Sequence, residues 1–323
     1  MEKPSLTIII PAYNVSDSLA KCVESVVNQD FHQWQAIIVD DGSTDNTLDI
    51  ANDLAEKDGR ITVIHKDNGG LSDARNHGLD LLFGGLPQGD STLFHGTPYV
   101  TFIDSDDYIS PSTMGPLMKE LNIHPEYDLL EYSATLHSGS KREAQLTLTD
   151  TIYTSPRDYW LRGKGYSHSY SWNKIYRSTV FSSGLRYPKG KIFEDVWMLP
   201  YILKACKTVA TTAMGQYVYM DNPKGITHAA DRSADLLAQL FHAQIEAMRL
   251  LEIDFSATSL SKEEARLYLS LRNQQTAIKR LAPNHPTLLP ARRIPFSAAT
   301  TIRELAKVAY YRWTDLFQTR TKR

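Results

Sequence analysis

Residues 36–47 read AIIVDDGSTDNT: an apolar, mostly β-branched run, two aspartates, a glycine, then hydroxyl and amide side chains. Ala36–Val39 has the unbroken apolarity of a strand buried on both faces, and Asp40-Asp41-Gly42 stops it. Ser43 or Thr44 can cap a helix that runs to Gly59, with Leu48, Ala51, Leu54 and Ala55 turned inward. The same strand–turn–helix unit recurs on either side. Leu6–Ile10 is a strand stopped by Pro11, and Ser16–Gln29 carries a helical stripe of Leu19, Val23, Val26 and Val27. Ile61–Ile64 and Tyr99–Ile103 are further strands, followed by helices over Leu71–Phe83 and Pro111–Leu121, and Tyr127–Ala134 is a fifth strand. This alternation predicts an α/β fold with a mainly parallel sheet flanked by helices. Gly84–Pro98 is rich in Gly and Pro, without periodicity, and reads as a surface loop. Ser138–Asp150 is polar and reads as a hairpin or loop; from Leu236 onward the pattern is helical, a C-terminal extension.

The 323 residues suffice for about two domains. With 42% apolar and 22% charged residues, disordered, collagenous and disulfide-scaffold classes are excluded. A net charge of -2 argues against a nucleic-acid partner. Two cysteines, Cys22 and Cys206, cannot build a disulfide framework and favour a reducing compartment. No apolar run approaches the ~20 residues of a membrane span, and MEKPSLTIIIPAYN lacks the core of a signal peptide. A cytoplasmic protein is expected.

Three polar clusters directly follow three of the strands: Pro11-Ala12-Tyr13-Asn14, Asp40 to Asp45, and Asp104-Ser105-Asp106-Asp107. In a parallel sheet all three lie at the carboxyl edge, where open α/β sheets bind ligands. Asp104, Asp106 and Asp107 bring three carboxylates within four residues. Their repulsion raises their pKa values unless a hard cation relieves it, and Mg²⁺ or Mn²⁺ suits one or two carboxylates plus substrate phosphate. A solvated turn in which Asp107 or Ser110 caps the next helix is the plainer alternative. The chain has neither GxxxxGK[ST] nor GxGxxG after the first strand, so a phosphate ligand lacks a glycine-rich cradle. Glu194 and Asp195 open an apolar helix over Val196–Ala205. The helix dipole favours acids there whatever their task, and equally keeps an Asp ionised for use as a general base.

The segments TIIIPAYNVSDSLAKCVESVVNQ, IIVDDGSTDNT, NGGLSDARNHGL, VTFIDSDDYISP, WNKIYR and FEDVWMLPYIL, in this order over about residues 5–205, resemble the family 2 glycosyltransferases. The similarity is to bacterial enzymes of surface-polysaccharide synthesis. It implies the nucleotide-sugar-binding GT-A fold, with a catalytic domain over 1–230 and a helical region over 231–323. The nucleotide-binding half would cover about 1–110 and the acceptor half about 111–230.

The resemblance also implies roles. Pro11, Ala12 and Tyr13 would line the nucleotide site, Asp41 would accept from the base, and Asp40 would support that loop. Arg75 would be the cation beside the nucleotide. Asp104 and Asp106 would form the DxD pair, with Asp106 the direct ligand of Mn²⁺ or Mg²⁺. Asp195 would be the catalytic base. Asn173, Lys174, Glu194 and His228 would face acceptor or donor sugar, although a lone His is more often structural. The implied reaction is an inverting transfer of a hexosyl or N-acetylhexosaminyl group from a UDP-sugar to a hydroxyl of a glycan or lipid-linked glycan. A nucleotidyltransferase and a non-catalytic nucleotide-sugar-binding module are the alternatives. The 84–98 link is longer than the family's usual one by roughly ten residues and is expected to be a surface excursion.

Thr301-Ile302-Arg303-Glu304 reads as a capping box, and Ile302, Leu305, Ala306, Ala309, Trp313, Leu316 and Phe317 follow helical spacing. Residues 291–323 carry eight Lys or Arg against Glu304 and Asp315, a net of +6, leaving -8 on the remainder. A basic amphipathic helix of this kind suits peripheral contact with an anionic membrane through 300–323, or simple packing with a solvated basic face.

Overall fold

In the computed structural model, residues 5–84, 97–223, 226–230, 232–255, 259–286, 289, 294–299, 301 and 304–312 are described. Strands β1 (Leu6–Ala12) and β2 (Trp34–Asp40) are buried along all seven residues, which is why both are mostly apolar without strict alternation, with Thr7, Gln35 and Asp40 as buried polar members. Around them the chain forms α1 (Leu19–Val27), α2 (Thr47–Lys57), β3 (Ile61–His65), α3 (Leu71–Leu82), β4 (Tyr99–Phe102), β5 (Tyr108–Ile109) and α4 (Met114–Ile123). Then follow β6 (Leu129–Ser138), β7 (Ala144–Leu146), β8 (Thr151–Tyr153), α5 (Pro156–Leu161), β9 (Lys174–Arg177), α6 (Thr179–Ser182), α7 (Glu194–Ala205) and β10 (Val209–Met220).

The sheet order is β3-β2-β1-β4-β9-β6-β10-β5, with β7 on β6 and β8 on β10. The first four strands are mutually parallel. β9 runs antiparallel between β4 and β6, and β10 is again parallel to β6. The sheet is therefore mixed, with its parallel half where the sequence places it. β6 and β7 form the hairpin expected in 138–150. The chain turns to opposite sides of β1 after β1 and after β3, so the switch point of the sheet lies at β1/β4.

Helix starts are the main correction. Ser43 and Thr44 do not cap α2; its N-cap position is Asn46, without a side-chain cap bond, and Asp45 just before it accepts on Oδ1 from the Thr47 amide at 3.0 Å. Neither Asp107 nor Ser110 caps α4. Gln29 Oε1, from beyond the end of α1, accepts from the amides of Thr113 and Met114, both at 2.9 Å. Gly78 marks the close approach of α3 to β1: a Cβ there would lie 2.5 Å from Ile9 Cγ2. Gly78→Ala is expected to cost about 1–3 kcal/mol by overpacking, read as a lower urea midpoint at constant slope.

The described residues divide into two compact units. Met1–Pro156 with Ser169–Asn222 holds the sheet; Arg157–His168 with Pro223–Arg323 is helical. In the helical unit, α8 (Ile226–Ala230) is followed by α9 (Ala234–Leu250) and α10 (Lys262–Leu281). Ser233 caps α9 at the amide of Leu236, and Ser261 with Glu264 forms a reciprocal capping box on α10. Phe241, Ala247, Leu267, Leu271 and Ile278 are among its buried apolar residues. Arg157 pairs with Glu264 at 2.6 Å, which ties the 157–168 segment into this unit.

Residues 304–312 are helical, and Glu304 donates its amide to Thr301 Oγ1 at 3.1 Å, one of the two bonds of the expected capping box. Val308 and Tyr311 are the buried positions, whereas Leu305 and Tyr310 are 43% and 56% exposed. The stripe read from the sequence thus faces outward at Leu305, Ala306 and Ala309. Its other members, Ile302, Trp313, Leu316 and Phe317, lie outside the described residues, as do 85–96 of the expected loop. Among the described residues no helix is long and apolar enough to cross a membrane.

Candidate active site

The loops after β1, β2, β3 and β4 share the carboxyl edge of the sheet and are laced together by side chains. Pro11 and Ala12 are buried at the end of β1, and of the expected lining residues only Tyr13 is exposed, at 49%. Asn14, at φ 51°, accepts on its side chain from the Thr44 amide (2.8 Å), while its own amide donates to Ser43 Oγ (3.0 Å). Ser43 and Thr44 therefore bind the two loops to each other instead of capping a helix.

Asp40 is wholly buried, and its Oδ2 meets His65 Nδ1 at 2.6 Å across the β2–β3 ladder. Asp41 differs from the expectation of a free acceptor. Lys66 Nζ donates to its Oδ1 at 2.5 Å, and the Gly69 and Gly70 amides donate at 3.0 and 2.7 Å. Gly70 sits at φ 86°, a conformation that disfavours any other residue and that aims its amide at this carboxylate. Lys66 also pairs with Asp73 at 2.7 Å.

Arg75 is the hub. One face of its guanidinium donates to Asp104 Oδ1 at 2.7 Å and the other to Glu194 Oε1. It stands 5.3 Å from the Tyr187 ring centre and 5.9 Å from that of Phe102. A fork-shaped cation suits two carboxylates at once. The DARN, DxD and ED segments, separated by 29 and 119 residues, are joined by this one side chain. Arg75 is buried, so it orders the carboxylates and does not present a free guanidinium to a nucleotide. Asn76 fixes the same region: its Nδ2 donates to the Tyr187 carbonyl (2.9 Å) and its Oδ1 accepts from the Tyr187 amide (2.7 Å).

In the DxD loop the three acids have different tasks. Asp107 is buried and accepts from the Tyr217 hydroxyl and the Met220 amide, both at 2.8 Å. The same hydroxyl accepts from the Asp104 amide at 3.1 Å, so Tyr217 shapes the loop. Asp106 is partly exposed and accepts from Asn222 Nδ2 at 3.2 Å. Burial, then the Asp104 charge, raises its pKa. Asp195 lies in the first turn of α7, where its carboxylate accepts from the Val196 amide at 2.8 Å. Burial first, then Glu194, pushes its pKa up to about 7, against the opposing pull of Arg75. Phe193, just before it, is held at φ 58°, a strained position for a bulky side chain.

Asn173 and Lys174 are 0% exposed. Lys174 Nζ donates to Glu131 Oε1 at 2.8 Å and to the Tyr170 carbonyl at 2.6 Å; Asn173 Nδ2 donates to the Tyr132 carbonyl at 2.9 Å. They form a polar knot inside the sheet unit and have no exposed atom for an acceptor, contrary to the expectation. His228 lies on α8 of the helical unit.

The sequence gives no role to Lys66, Asn76, Tyr217 or Asn222, and names Asn14 only as part of the cluster after β1. Lys66 had a usable signal, since it follows β3 at the same sheet edge. Asn76 had another, as the neighbour of Arg75 within DARN.

Four parallel strands, a switch point at β1/β4 and acidic loops gathered at their carboxyl ends define a nucleotide-sugar transferase architecture of the GT-A kind. Residues 7–186 match the model of glycosyl transferase family 2, and the chain belongs to that family. It is 28% identical to the uncharacterized glycosyltransferase EpsJ of Bacillus subtilis over 285 residues, 82% of this chain and 75% of EpsJ. It spans half the length of EpsH from the same organism, at 29% identity over 185 residues and 57% of this chain. Among solved structures, S. aureus TarS 1-349 in complex with UDP-GlcNAc superposes with a TM-score of 0.63 at 19% identity, covering 95% of this chain and 79% of that one. The mannosyltransferase PcManGT of Pyrobaculum calidifontis, in complex with GDP-Man and Mn²⁺, gives 0.57 at 16% identity, covering 98% and 81%. At these identities the two structures speak for the fold.

Proposed function

We propose that this family 2 glycosyltransferase moves a hexosyl or N-acetylhexosaminyl group from a UDP-sugar to a hydroxyl of a glycan or lipid-linked glycan, with inversion, in bacterial surface-polysaccharide synthesis. The observation that carries the reading is the Arg75 fork, which couples the DxD loop to the helix start that bears Asp195. Family membership sets aside the nucleotidyltransferase alternative, and the presence of both DxD acids and a candidate base weighs against a mere binding module.

The donor set fits a hard divalent cation. Arg75 pairs with Asp104 and Glu194, and the carboxyls of Asp106 and Asp195 are raised first by burial and then by the neighbouring charges of Asp104 and Glu194, a repulsion that a cation would relieve. Among the described residues no three His, Cys, Asp or Glu side chains are arranged to hold a metal. Such an ion would therefore take Asp106, with Asp104 through its oxygen not held by Arg75, and diphosphate oxygens, as Mg²⁺ or Mn²⁺ commonly does. Bound there, it would supply charge stabilisation to the leaving nucleoside diphosphate. Arg75 keeps Asp104 oriented, and Asp195 takes the proton of the acceptor hydroxyl as that oxygen attacks the anomeric carbon. Tyr13 offers its exposed ring to the nucleotide. A uracil that donates to Asp41 would share the carboxylate with Lys66 and the Gly69 and Gly70 amides, Oδ2 keeping a lone pair beside the Gly70 bond. Peripheral contact of 300–323 with an anionic membrane belongs to the same proposal, and the outward Leu305 and Tyr310 support it.

The test is a melting-temperature panel of UDP-, GDP- and other nucleotide sugars with Mn²⁺ or EDTA. A ligand of the folded state raises apparent stability. Stabilisation by a UDP-sugar with metal is expected. A stronger shift with GDP-sugars overturns the uracil assignment, and no shift with any donor overturns the reading.

A further inference from the structure

The helical unit holds a polar cavity of about 220 Å³, walled by the turn Gly165–Ser167, by α10 and by the start of the 304–312 helix. That is smaller than the roughly 300–1,000 Å³ of sites for drug-sized ligands and suits a small anion or one sugar ring. Its polar lining is dominated by donors. Arg266 enters from α10, and among the described residues its buried Nε has no hydrogen-bond partner. Arg266 is half-buried, and a buried N–H such as its Nε is costly unless something accepts from it. Lys164 lines the opposite wall from a left-handed backbone position (φ 60°), and its carbonyl accepts from the Ser167 amide and hydroxyl at 2.8 and 2.9 Å. Those bonds fix the turn that carries the ammonium.

Asn273 contributes its amide. Its Oδ1 is occupied by the Tyr311 hydroxyl at 3.0 Å, which commits the NH₂ side to donate. The Tyr166 phenol is pushed up to about 12, chiefly by burial, so it stays a protonated donor near neutral pH. One carboxylate, Glu304, faces this set. Among the described lining residues, Lys164 and Arg266 stand against Glu304, an excess of a single positive charge.

We propose that this cavity binds a small oxyanion, of the kind presented by a phosphate or carboxylate substituent on a saccharide, with Arg266 as its principal contact. The guanidinium fork matches both groups, and Lys164 adds charge at the exposed rim. This goes beyond the transfer reaction and does not depend on it.

The experiment is calorimetric titration of the full chain in EDTA with inorganic phosphate, glucuronate and neutral glucose. Saturable binding of one of the anions, and none of glucose, is expected. Arg266→Gln should weaken it about tenfold or more, the loss of a charge-assisted hydrogen bond. Lys164→Gln, at an exposed position, should weaken it less, and Glu304→Gln should strengthen it by removing the facing carboxylate. Asp106→Asn is run in parallel to separate phosphate held at the DxD loop and should leave this binding unchanged. The proposal is overturned if neither anion binds, if Arg266→Gln and Lys164→Gln both bind like the parent, or if binding is lost with Asp106→Asn instead. Circular dichroism of each variant confirms that the comparison is between folded proteins.

Discussion

Replacing Arg75 with leucine will destabilise the sheet unit by about 3–5 kcal/mol, because it strands the buried Glu194 carboxylate and frees the Asp104 loop. The size follows from the asymmetry of buried ion pairs. Assembling one adds little over an apolar substitute, whereas removing one partner leaves an uncompensated charge in a poor solvent. The double variant Arg75→Leu/Glu194→Leu should accordingly recover much of the loss. Urea midpoints of parent, single and double variants form the cycle, and a coupling between the two sites of well over 1 kcal/mol is expected. A single variant as stable as the parent would mean that the fork is not what joins the DxD and ED segments.

Asp195→Asn should lower transfer by about 10²–10⁴-fold, the usual contribution of a positioned general base, while donor binding stays like the parent's. Folding should respond in the opposite sense. Because burial and Glu194 raise the Asp195 pKa from 3.8 to about 7, the folded state holds this proton more tightly than the unfolded chain does. Its contribution to stability is therefore full below the unfolded value of 3.8 and is lost as pH rises to about 7. Asparagine removes that dependence, so the variant should gain stability relative to the parent between those limits. In the parent, the rate of transfer should climb with pH through the same range, as the base ionises. Loss of donor binding in Asp195→Asn would instead make this residue part of the nucleotide site.

What the sequence disclosed, and what it withheld, follows from the range of the interactions. β1, β2 and β4 are legible because a strand buried on both faces is mostly apolar, with only Thr7, Gln35, Asp40 and Thr101 as polar members here. The placing of Asp41, Asp104 and Asp106 at one edge then follows from parallel pairing alone. Helix starts were misread where the cap comes from elsewhere, as with Gln29, which reaches Thr113 and Met114 across 84 and 85 residues. Lys174 shows the same thing more sharply. Its partner, Glu131, is 43 positions away, and nothing in the local pattern WNKIYR says that the ammonium points inward. Arg75 reads locally as a cation of use to an anionic ligand; only the fold reveals that two carboxylates already hold it. The grouping of Arg157–His168 with the helical unit rests likewise on a non-local contact, the pairing with Glu264 across 107 residues.

The most direct measurement is release of nucleoside diphosphate from the stabilising nucleotide sugar, without acceptor, by the parent and by Asp106→Asn, each with Mn²⁺ and with EDTA. A transferase of the kind described leaks slowly to water. The parent with metal should release UDP, the parent in EDTA should not, and Asp106→Asn should be slower by orders of magnitude at a little-changed melting temperature, since Asp106 is partly exposed and Asn222 is its one recorded side-chain partner among the described residues. Release that is equally fast in EDTA, or in Asp106→Asn with Mn²⁺, would contradict the assignment of this carboxylate edge as a metal-assisted transfer site.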